Sequence, residues 1–357
     1  MRETIPVGQR TRVLIVDDSA AMRAILKKIL QADPRIDVVG TAADAEIARR
    51  MLKELNPDVL LLDVEMPGTD GITFLQKIMR LKPMPVVMCS SLTAKGTDTT
   101  IEAMRLGAVE CIGKPAGGAD ALLREAKTLR EAVKAAARST MRPISHDLPR
   151  AAAPTGGCDP ELVIAIGAST GGVEALFSLL SALPPDIPPT LVVQHMPGLF
   201  TSGFAARLDR TCPMRVTEAR DGEKLMPGTV YIAPGSDAHM ELYGGRHGHI
   251  RLRATAAVSG HRPSADVLFR SCASLGKKAV GVIMTGMGKD GAQGLHAMHK
   301  AGALTLGQDE NSCVIYGMPR AAKLLGAITR EVSLDALPKA LLRACREPLG
   351  REIMGTN

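Results

Sequence analysis

Val163-Ile164-Ala165-Ile166-Gly167-Ala168-Ser169-Thr170-Gly171-Gly172 is the stretch on which the reading of this chain turns. Four apolar residues run into a glycine, a serine and two more glycines follow, and Val173 to Leu183 then repeats its apolar residues at helical spacing. That order predicts a buried strand, a tight turn and a helix. Gly167, Ser169 and Gly171 satisfy G-x-S-x-G, in which small neighbours let a serine stand on a sharp strand-to-helix turn with its hydroxyl exposed. The helix N-terminus behind it leaves backbone N–H groups for any oxyanion formed there. The competing reading is a glycine-rich phosphate loop. Against it, the Lys of the P-loop pattern is missing, and Ser169 stands where the dinucleotide fingerprint has its second glycine.

The same strand-then-chemistry rhythm continues toward the C-terminus. Pro189 to Val193 reads as a buried strand ending at Gln194-His195-Met196-Pro197, and Lys278 to Met284 as another running into Thr285-Gly286-Met287-Gly288-Lys289-Asp290-Gly291. A helix follows from Ala292, a strand at Ala303 to Leu306, and a closing helix over Asp335 to Arg346. Between Val216 and Ala254, short alternating runs separated by Pro-Gly and Gly-Gly predict antiparallel hairpins inserted in the α/β frame. In a parallel α/β sheet, ligands sit beyond the carboxyl ends of the strands. That rule gathers Ser169, His195 and Asp290: a nucleophile, a base and an orienting carboxylate. Their chain order differs from the Ser, Asp/Glu, His order of α/β-hydrolases, so related chemistry is expected on a different fold. Taken singly, His195 also reads as a structural histidine, and Asp290 as a cap for the helix after it. His261 and Arg262 open a loop before a helix capped near Ser264, a position suited to substrate contact. No H-E-x-x-H or similar metal spacing is present.

The first third alternates in the same way. Strands are predicted at 12–16, 37–42, 58–62, 85–89 and 109–113, with helices at 20–30, 44–55, 71–81 and near 97–106. This is again a doubly wound parallel sheet. Its strand ends collect Asp17, Asp18, Asp63, Ser90 and Lys114. Three converging carboxylates repel one another and call for a hard cation, and few ligands with room for water suit Mg²⁺. Ser90 and Lys114 then offer a hydroxyl and a point charge to a phosphoryl group.

A length of 357 residues is too great for one ordinary core and predicts two domains. The seven cysteines are scattered without a C-x-x-C pair, which excludes a disulfide framework and a zinc site and fits a reducing, cytoplasmic location. No signal peptide and no apolar run of membrane-spanning length is seen. The net charge of +7 is uneven, with seven Lys/Arg against three Asp/Glu from Arg124 to Arg150. That segment is rich in Ala and Pro and reads as a solvated linker over 129–159, its first part extending the preceding helix. Tryptophan is absent, so the stacking platforms of single-strand nucleic-acid binders are not evident.

L-I-V-D-D-S, D-V-L-L-L-D-V-E-M-P-G-T-D-G, P-V-V-M-C-S-S and G-K-P make residues 12 to about 127 resemble the receiver domain of two-component response regulators. The resemblance implies Asp63 as phosphoacceptor, Asp17, Asp18 and Asp63 as Mg²⁺ ligands, and Ser90 and Lys114 as phosphoryl sensors. One departure is Cys111, three before Lys114, where receivers often carry an aromatic switch residue. A-I-G-A-S-T-G-G, V-V-Q-H-M-P, H-R-P-S-A-D-V-L-F, M-T-G-M-G-K-D-G and Q-D-E-N-S-C-V-I-Y-G-M-P likewise make the second half similar to the effector domain of chemotaxis protein-glutamate methylesterases. This implies Ser169 as nucleophile, His195 as base, Asp290 as its partner and the Met287 N–H as oxyanion contact, with no cofactor in that domain. The implied substrates are methylated glutamates on the cytoplasmic helices of chemoreceptors, with deamidation of some glutamines. A chemotaxis histidine kinase is the implied phosphodonor, and neither nucleic acid nor membrane insertion is involved. The expected organisation is a flavodoxin-like receiver over 11–128, a linker over 129–159 and a Rossmann-like esterase domain over 160–350. Two rivals stand beside it: a DNA-binding transcriptional regulator, and a serine hydrolase of small diffusible esters.

Overall fold

The computed structural model describes residues 9–66, 71–90, 94–114, 119–140, 157–159, 161–235 and 237–346. Residues 67–70, Ser91 and Pro115 of the receiver motifs, most of the expected linker (141–156), and Pro160 and 347–350 at the ends of the expected esterase domain lie outside them. The chain forms two compact units, Met1–His146 and Asp147–Asn357.

The first unit is built from β1 (Thr11–Val16), α1 (Ala20–Gln31), β2 (Ile36–Ala42), α2 (Ala45–Leu55), β3 (Val59–Asp63), α3 (Gly71–Leu81), β4 (Val86–Ser90), α4 (Ala94–Arg105), β5 (Glu110–Gly113) and α5 (Ala119–Ala137). Its parallel sheet has the order β2-β1-β3-β4-β5. Every residue of β3 and β4 is buried, as a sheet covered on both faces requires. Ser19 and Asp44 accept from the Met22 and Ile47 amides and so start α1 and α2. Helix α5 continues to Ala137: Leu129, Val133 and Ala136 are buried, and Lys134 Nζ lies 2.8 Å from Asp33 Oδ2. The strand order reverses between β1 and β3, the switch point at which such sheets open a crevice.

The second unit comprises β6 (Val163–Ala168), α6 (Gly172–Ser181), β7 (Thr190–Gln194), α7 (Gly198–Thr211), β8 (Arg215–Glu218), β9 (Thr229–Ile232), β10 (His239–Tyr243), β11 (His249–Arg253), α8 (Ala265–Ala273), β12 (Ala279–Ile283), α9 (Ala292–Lys300), β13 (Leu304–Gln308), α10 (Met318–Leu324), β14 (Arg330–Val332) and α11 (Leu337–Arg346). Seven strands form one parallel sheet in the order β14-β13-β12-β6-β7-β9-β8. The switch point lies between β6 and β12. The expected hairpin insertion is narrower than the sequence pattern predicts: β8 and β9 belong to the parallel sheet, and only β10 and β11 pair antiparallel. The reason is legible in β9, whose four residues are all buried, a continuous run suited to a parallel strand rather than to a half-exposed hairpin. Helix α7, helix α10 and strand β14 have no counterpart in the sequence-based expectation. No described helix is long and apolar enough to cross a membrane.

One aromatic ring holds the site-bearing elements together. Phe269 of α8 is fully buried, and a Cβ at Gly167 of β6 or Gly294 of α9 would come within 3.1 or 2.8 Å of it. Gly167 thus makes room for the ring, and Gly294 for the Cβ that carries it. Phe269→Ala removes that filling and is expected to cost about 3–5 kcal/mol of unfolding free energy, read from urea denaturation of the second unit's transition.

Candidate functional site

The carboxyl edge of the second sheet brings the three expected residues together. Ala168 pairs with Gln194 at the ends of β6 and β7, so Ser169 and His195 are the next residues on adjacent strands. The ladder continues one step, the His195 amide donating to the Ala168 carbonyl over 3.0 Å. Asp290 follows β12, the neighbour of β6 on the other side. Its carboxylate accepts from His195 Nε2 at 2.9 Å. His195 therefore carries its proton on Nε2 and leaves Nδ1 as the free basic nitrogen; Nδ1 is buried and has no hydrogen-bond partner among the described residues. The Ser169 hydroxyl is thus not yet bonded to the base, a common state before substrate arrives.

Asp290 does more than the sequence pattern predicts. Read alone, it was a candidate cap for α9, the helix after it; instead it serves the N-terminus of α8. It accepts from Ser264 Oγ at 2.6 Å and from the Ala265 and Asp266 amides at 2.7 and 3.3 Å. Burial works to raise its pKa, but the bonds from His195, Ser264 and Ala265 outweigh burial and hold the carboxyl below its ordinary value. Asp266, in the first turn of α8, accepts from the Gly294 amide of α9 at 2.7 Å. The two helices therefore exchange caps. Burial pushes the Asp266 carboxyl up, and the charge of Asp290 adds to the effect.

Ser169 is held by its surroundings. Its amide donates to the Thr285 carbonyl at 3.0 Å, and its carbonyl accepts from Gln194 Nε2 at 2.9 Å, a side chain that also reaches the His195 carbonyl. Gly171 takes φ +76°, the left-handed turn that ends the strand excursion, and a Cβ there would meet Val314 at 2.5 Å. Gly286 approaches so closely that a Cβ would lie 2.7 Å from Ser169 Cβ. The next residue, Met287, is 40% exposed and is carried on a loop fixed by bonds from Gly317 and Met318 to the Gly286 carbonyl. Thr285 braces that loop from behind, its amide donating to Gln308 Oε1 and its hydroxyl accepting from the Ile315 amide. Gln194, Thr285 and Gln308 were not singled out from the sequence, and Ser264 was read as the cap of α8 but not as a donor to Asp290. A serine just before a helix and a glutamine just before the histidine were their only signals.

His261 lies flat on His195, ring centroids 3.8 Å apart and planes 2° from parallel. Burial, with the nearby His195, brings its pKa down to about 4. Arg262 turns aside and donates to the Thr255 carbonyl at 3.1 Å.

At the first unit's carboxyl edge, ligand oxygens of Asp17, Asp18 and Asp63 lie within 4.8 Å of one another. Asp17 and Asp63 are buried, Asp18 is exposed, and Lys114 Nζ lies 3.0 Å from Asp17 Oδ2 and 2.7 Å from Asp63 Oδ2. Burial raises the Asp63 pKa and Asp17 adds to the shift, with Lys114 as partial offset. Burial opposes the Lys114 ammonium, yet the two carboxylates hold its pKa above the ordinary value. Ser90 ends β4 and is fully buried; its carbonyl accepts from the Lys114 amide at 2.8 Å. Cys111 is buried on β5 with Sγ 3.6 Å from Thr100 Oγ1, and burial pushes its thiol up to about 12.

Comparison with known proteins adds the following. Residues 164–341 match the CheB methylesterase family and residues 13–127 the response regulator receiver domain family. A protein-glutamate methylesterase/protein-glutamine glutaminase 1 of Caulobacter vibrioides is 53% identical over 93% of this chain and 97% of its own length. A second of the same name, from Dechloromonas aromatica, is 50% identical over 94% of this chain and 98% of its own. Among solved structures, the catalytic domain of Thermotoga maritima CheB methylesterase is 36% identical over 51% of this chain and 97% of its own, with a TM-score of 0.49.

Ser264→Ala removes one donor from the Asp290 carboxylate. A hydrogen bond to a charged group contributes about 1.5–3 kcal/mol, so a stability loss of that order is expected in urea unfolding at neutral pH. Because the folded Asp290 pKa lies below its unfolded value, this stability is fully present above the unfolded value and lost as pH falls through the folded one. The difference between wild type and variant should therefore be constant above about pH 5 and shrink on acidification.

Proposed function

The chain belongs to the protein-glutamate methylesterase/protein-glutamine glutaminase family, a receiver domain followed by a CheB methylesterase domain, and on that premise we propose that its second unit hydrolyses glutamate methyl esters of chemoreceptors through Ser169, His195 and Asp290. The observation that carries this assignment is the His195–Asp290 bond at a switch point where Ser169 follows the end of the adjoining strand. The catalytic domain is taken as 160–350 and the receiver as 11–128, with 129–159 between them and α5 running into that stretch. The DNA-binding alternative is not favoured, since the relatives are named as enzymes.

The reaction follows from the site. Ser169 Oγ attacks the side-chain ester carbonyl as His195 Nδ1 takes its proton. The resulting imidazolium is held by Asp290 through Nε2–H. General-base assistance of this kind is worth roughly 10²–10⁴ in rate. The tetrahedral oxyanion faces the Met287 N–H and the N-terminus of α6, each fixed donor worth about 10²–10³. Collapse expels methoxide, which leaves as methanol with the proton from His195. Water, activated by the same nitrogen, then splits the acyl-serine and frees glutamate. A glutamine side chain passes through the same steps with ammonia as leaving group.

In the receiver, Asp63 is the phosphoacceptor. Asp17, Asp18 and Asp63 fit a divalent cation: three oxygen donors lie in one cluster, two of them buried, with the Lys114 ammonium beside Asp17 and Asp63 and the Arg23 guanidinium on the Asp17 and Asp18 carbonyls. These three residues would hold Mg²⁺, which supplies positive charge for the phosphoryl oxygens. Lys114 and Ser90 lie where they can bind the remaining oxygens. A chemotaxis histidine kinase is the phosphodonor, chemoreceptor cytoplasmic helices are the substrate, and the cytoplasm is the site of action. Phosphorylation can raise the esterase rate only in so far as the phosphorylated receiver favours the active arrangement over the inactive one.

Two outcomes test this reading. Methanol release from a methylated receptor fragment should fall about 10⁴-fold or more in Ser169→Ala; retained release would remove the serine from the mechanism. Asp63→Asn should keep basal release and lose its stimulation by a small phosphodonor with Mg²⁺; a stimulated variant would place the phosphoacceptor elsewhere.

A further inference from the structure

The esterase reading leaves one group beside the reacting atoms unexplained. The ring of His261 covers a whole face of His195, yet it is not the group bonded to Asp290. Its placement is built by its own segment. Val258 and His261 exchange two backbone hydrogen bonds of 3.0 and 2.9 Å, closing a turn across Ser259 and Gly260, both at positive φ. Two successive left-handed residues make a tight reversal that few other conformations replace. Ser259 Oγ reaches Asp266 Oδ2 at 3.5 Å, and Arg262 is tied to the Thr255 carbonyl. Immediately after the turn, Ser264 and the Ala265 amide bind Asp290. One short stretch, 258–266, thus grips the imidazole from its face and the carboxylate from its oxygens.

What the face contact can do follows from the polarity of His195. Asp290 restrains the ring only through Nε2, a single hydrogen bond about which the imidazole can rock. Nδ1, the nitrogen left for the serine, has nothing to hold it. A parallel ring at 3.8 Å opposes such rocking, because tilting the imidazole drives it into its neighbour or opens a void beside it. When His195 becomes an imidazolium, a neutral aromatic face is also a favourable neighbour, and a second cation would not be. Burial keeps His261 in that neutral form at working pH.

We propose that His261 is a positioning residue of the hydrolysis, holding the His195 imidazole by a flat stack so that Nδ1 stays directed to the Ser169 hydroxyl. The proposal rests on the esterase reading and adds to it a residue that touches the base and not the substrate. Its character is aromatic and steric: the ring matters, its nitrogens do not.

The experiment uses the full chain and methanol release from a methylated receptor fragment, with Ser169→Ala as reference. His261→Ala should lower kcat roughly tenfold to a hundredfold with KM within about twofold, since a misplacement near 1 Å costs on that order. His261→Phe, which restores a flat neutral ring, should recover kcat to within about threefold of wild type. Unfolding midpoints of both variants identify any loss that is merely structural. Wild-type kcat in His261→Ala, a loss lying in KM, a kcat loss that tracks a lowered unfolding midpoint, or a Phe variant no better than Ala would each overturn the proposal. If instead Ser169→Ala releases methanol as fast as wild type, the serine assignment on which the proposal rests fails, and if the wild type releases none, the esterase reading itself fails; both are distinguishable from a failure of the His261 proposal.

Discussion

Keeping one carboxylate ionised inside the protein is the constraint on which the second unit's architecture depends. Asp290 is 1% exposed. A charge in such a place must be matched by donors at hydrogen-bond distance, or the group gives up its charge. The donors come from three elements: His195 after β7, Ser264 before α8 and two amides of the first turn of α8. Because Asp290 itself follows β12, the carboxylate ties two strands of the sheet to the helix covering it. The positive end of α8 contributes further, as helix N-termini do for anions. Asp266 returns the service to α9. Of these two neighbouring acids one is held below and one pushed above its ordinary pKa, so that Asp290 keeps the charge that His195 requires.

The two units apply the same topological rule to different charge problems. Each places its chemistry where strand order reverses, between β1 and β3 in one sheet and between β6 and β12 in the other. In the first unit three acids are gathered around one lysine, an excess of negative charge that a cation would relieve. In the second, the Asp290 carboxylate is spent on its donors. The first site is thus organised to attract positive charge; on the proposed mechanism the second would tolerate it briefly on His195.

The parts of this design that depend on periodicity and strand ends were legible in the sequence. Buried runs such as Val163–Ala168 and Thr190–Gln194 announce parallel strands, and Ser169, His195 and Asp290 follow such runs closely enough to be gathered by one rule. What could not be read is whatever depends on which neighbour a side chain chooses. Asp290 was equally plausible as a cap for α9; only the packing of α8 across β6 and α9 decides for α8. Gln194 looks like the last residue of a strand, and its role in clamping the Ser169 and His195 carbonyls appears once both strands are adjacent. The Pro-Gly before β9 resembles a hairpin turn, and Gly228 does take φ +69°, yet the chain emerges parallel to β8. Helix α7 opens Gly198-Leu199-Phe200-Thr201-Ser202-Gly203, two glycines within six residues, which hides its helical character from propensity.

Helix N-termini at this edge take up the electrostatic work in different ways. Asp290 occupies that of α8 and Asp266 that of α9, both permanently. Helix α6 begins after Gly171, which has no side chain to cap it, so no side-chain carboxylate at the cap competes there. On the proposed mechanism its positive end is open to the negative charge that would form beside Ser169. The complementary positive charge of that mechanism would fall on His195, between Asp290 and the face of His261. Separating the two charges of the proposed mechanism in this way, each against a partner fixed before substrate binds, would let the site stabilise both without moving either.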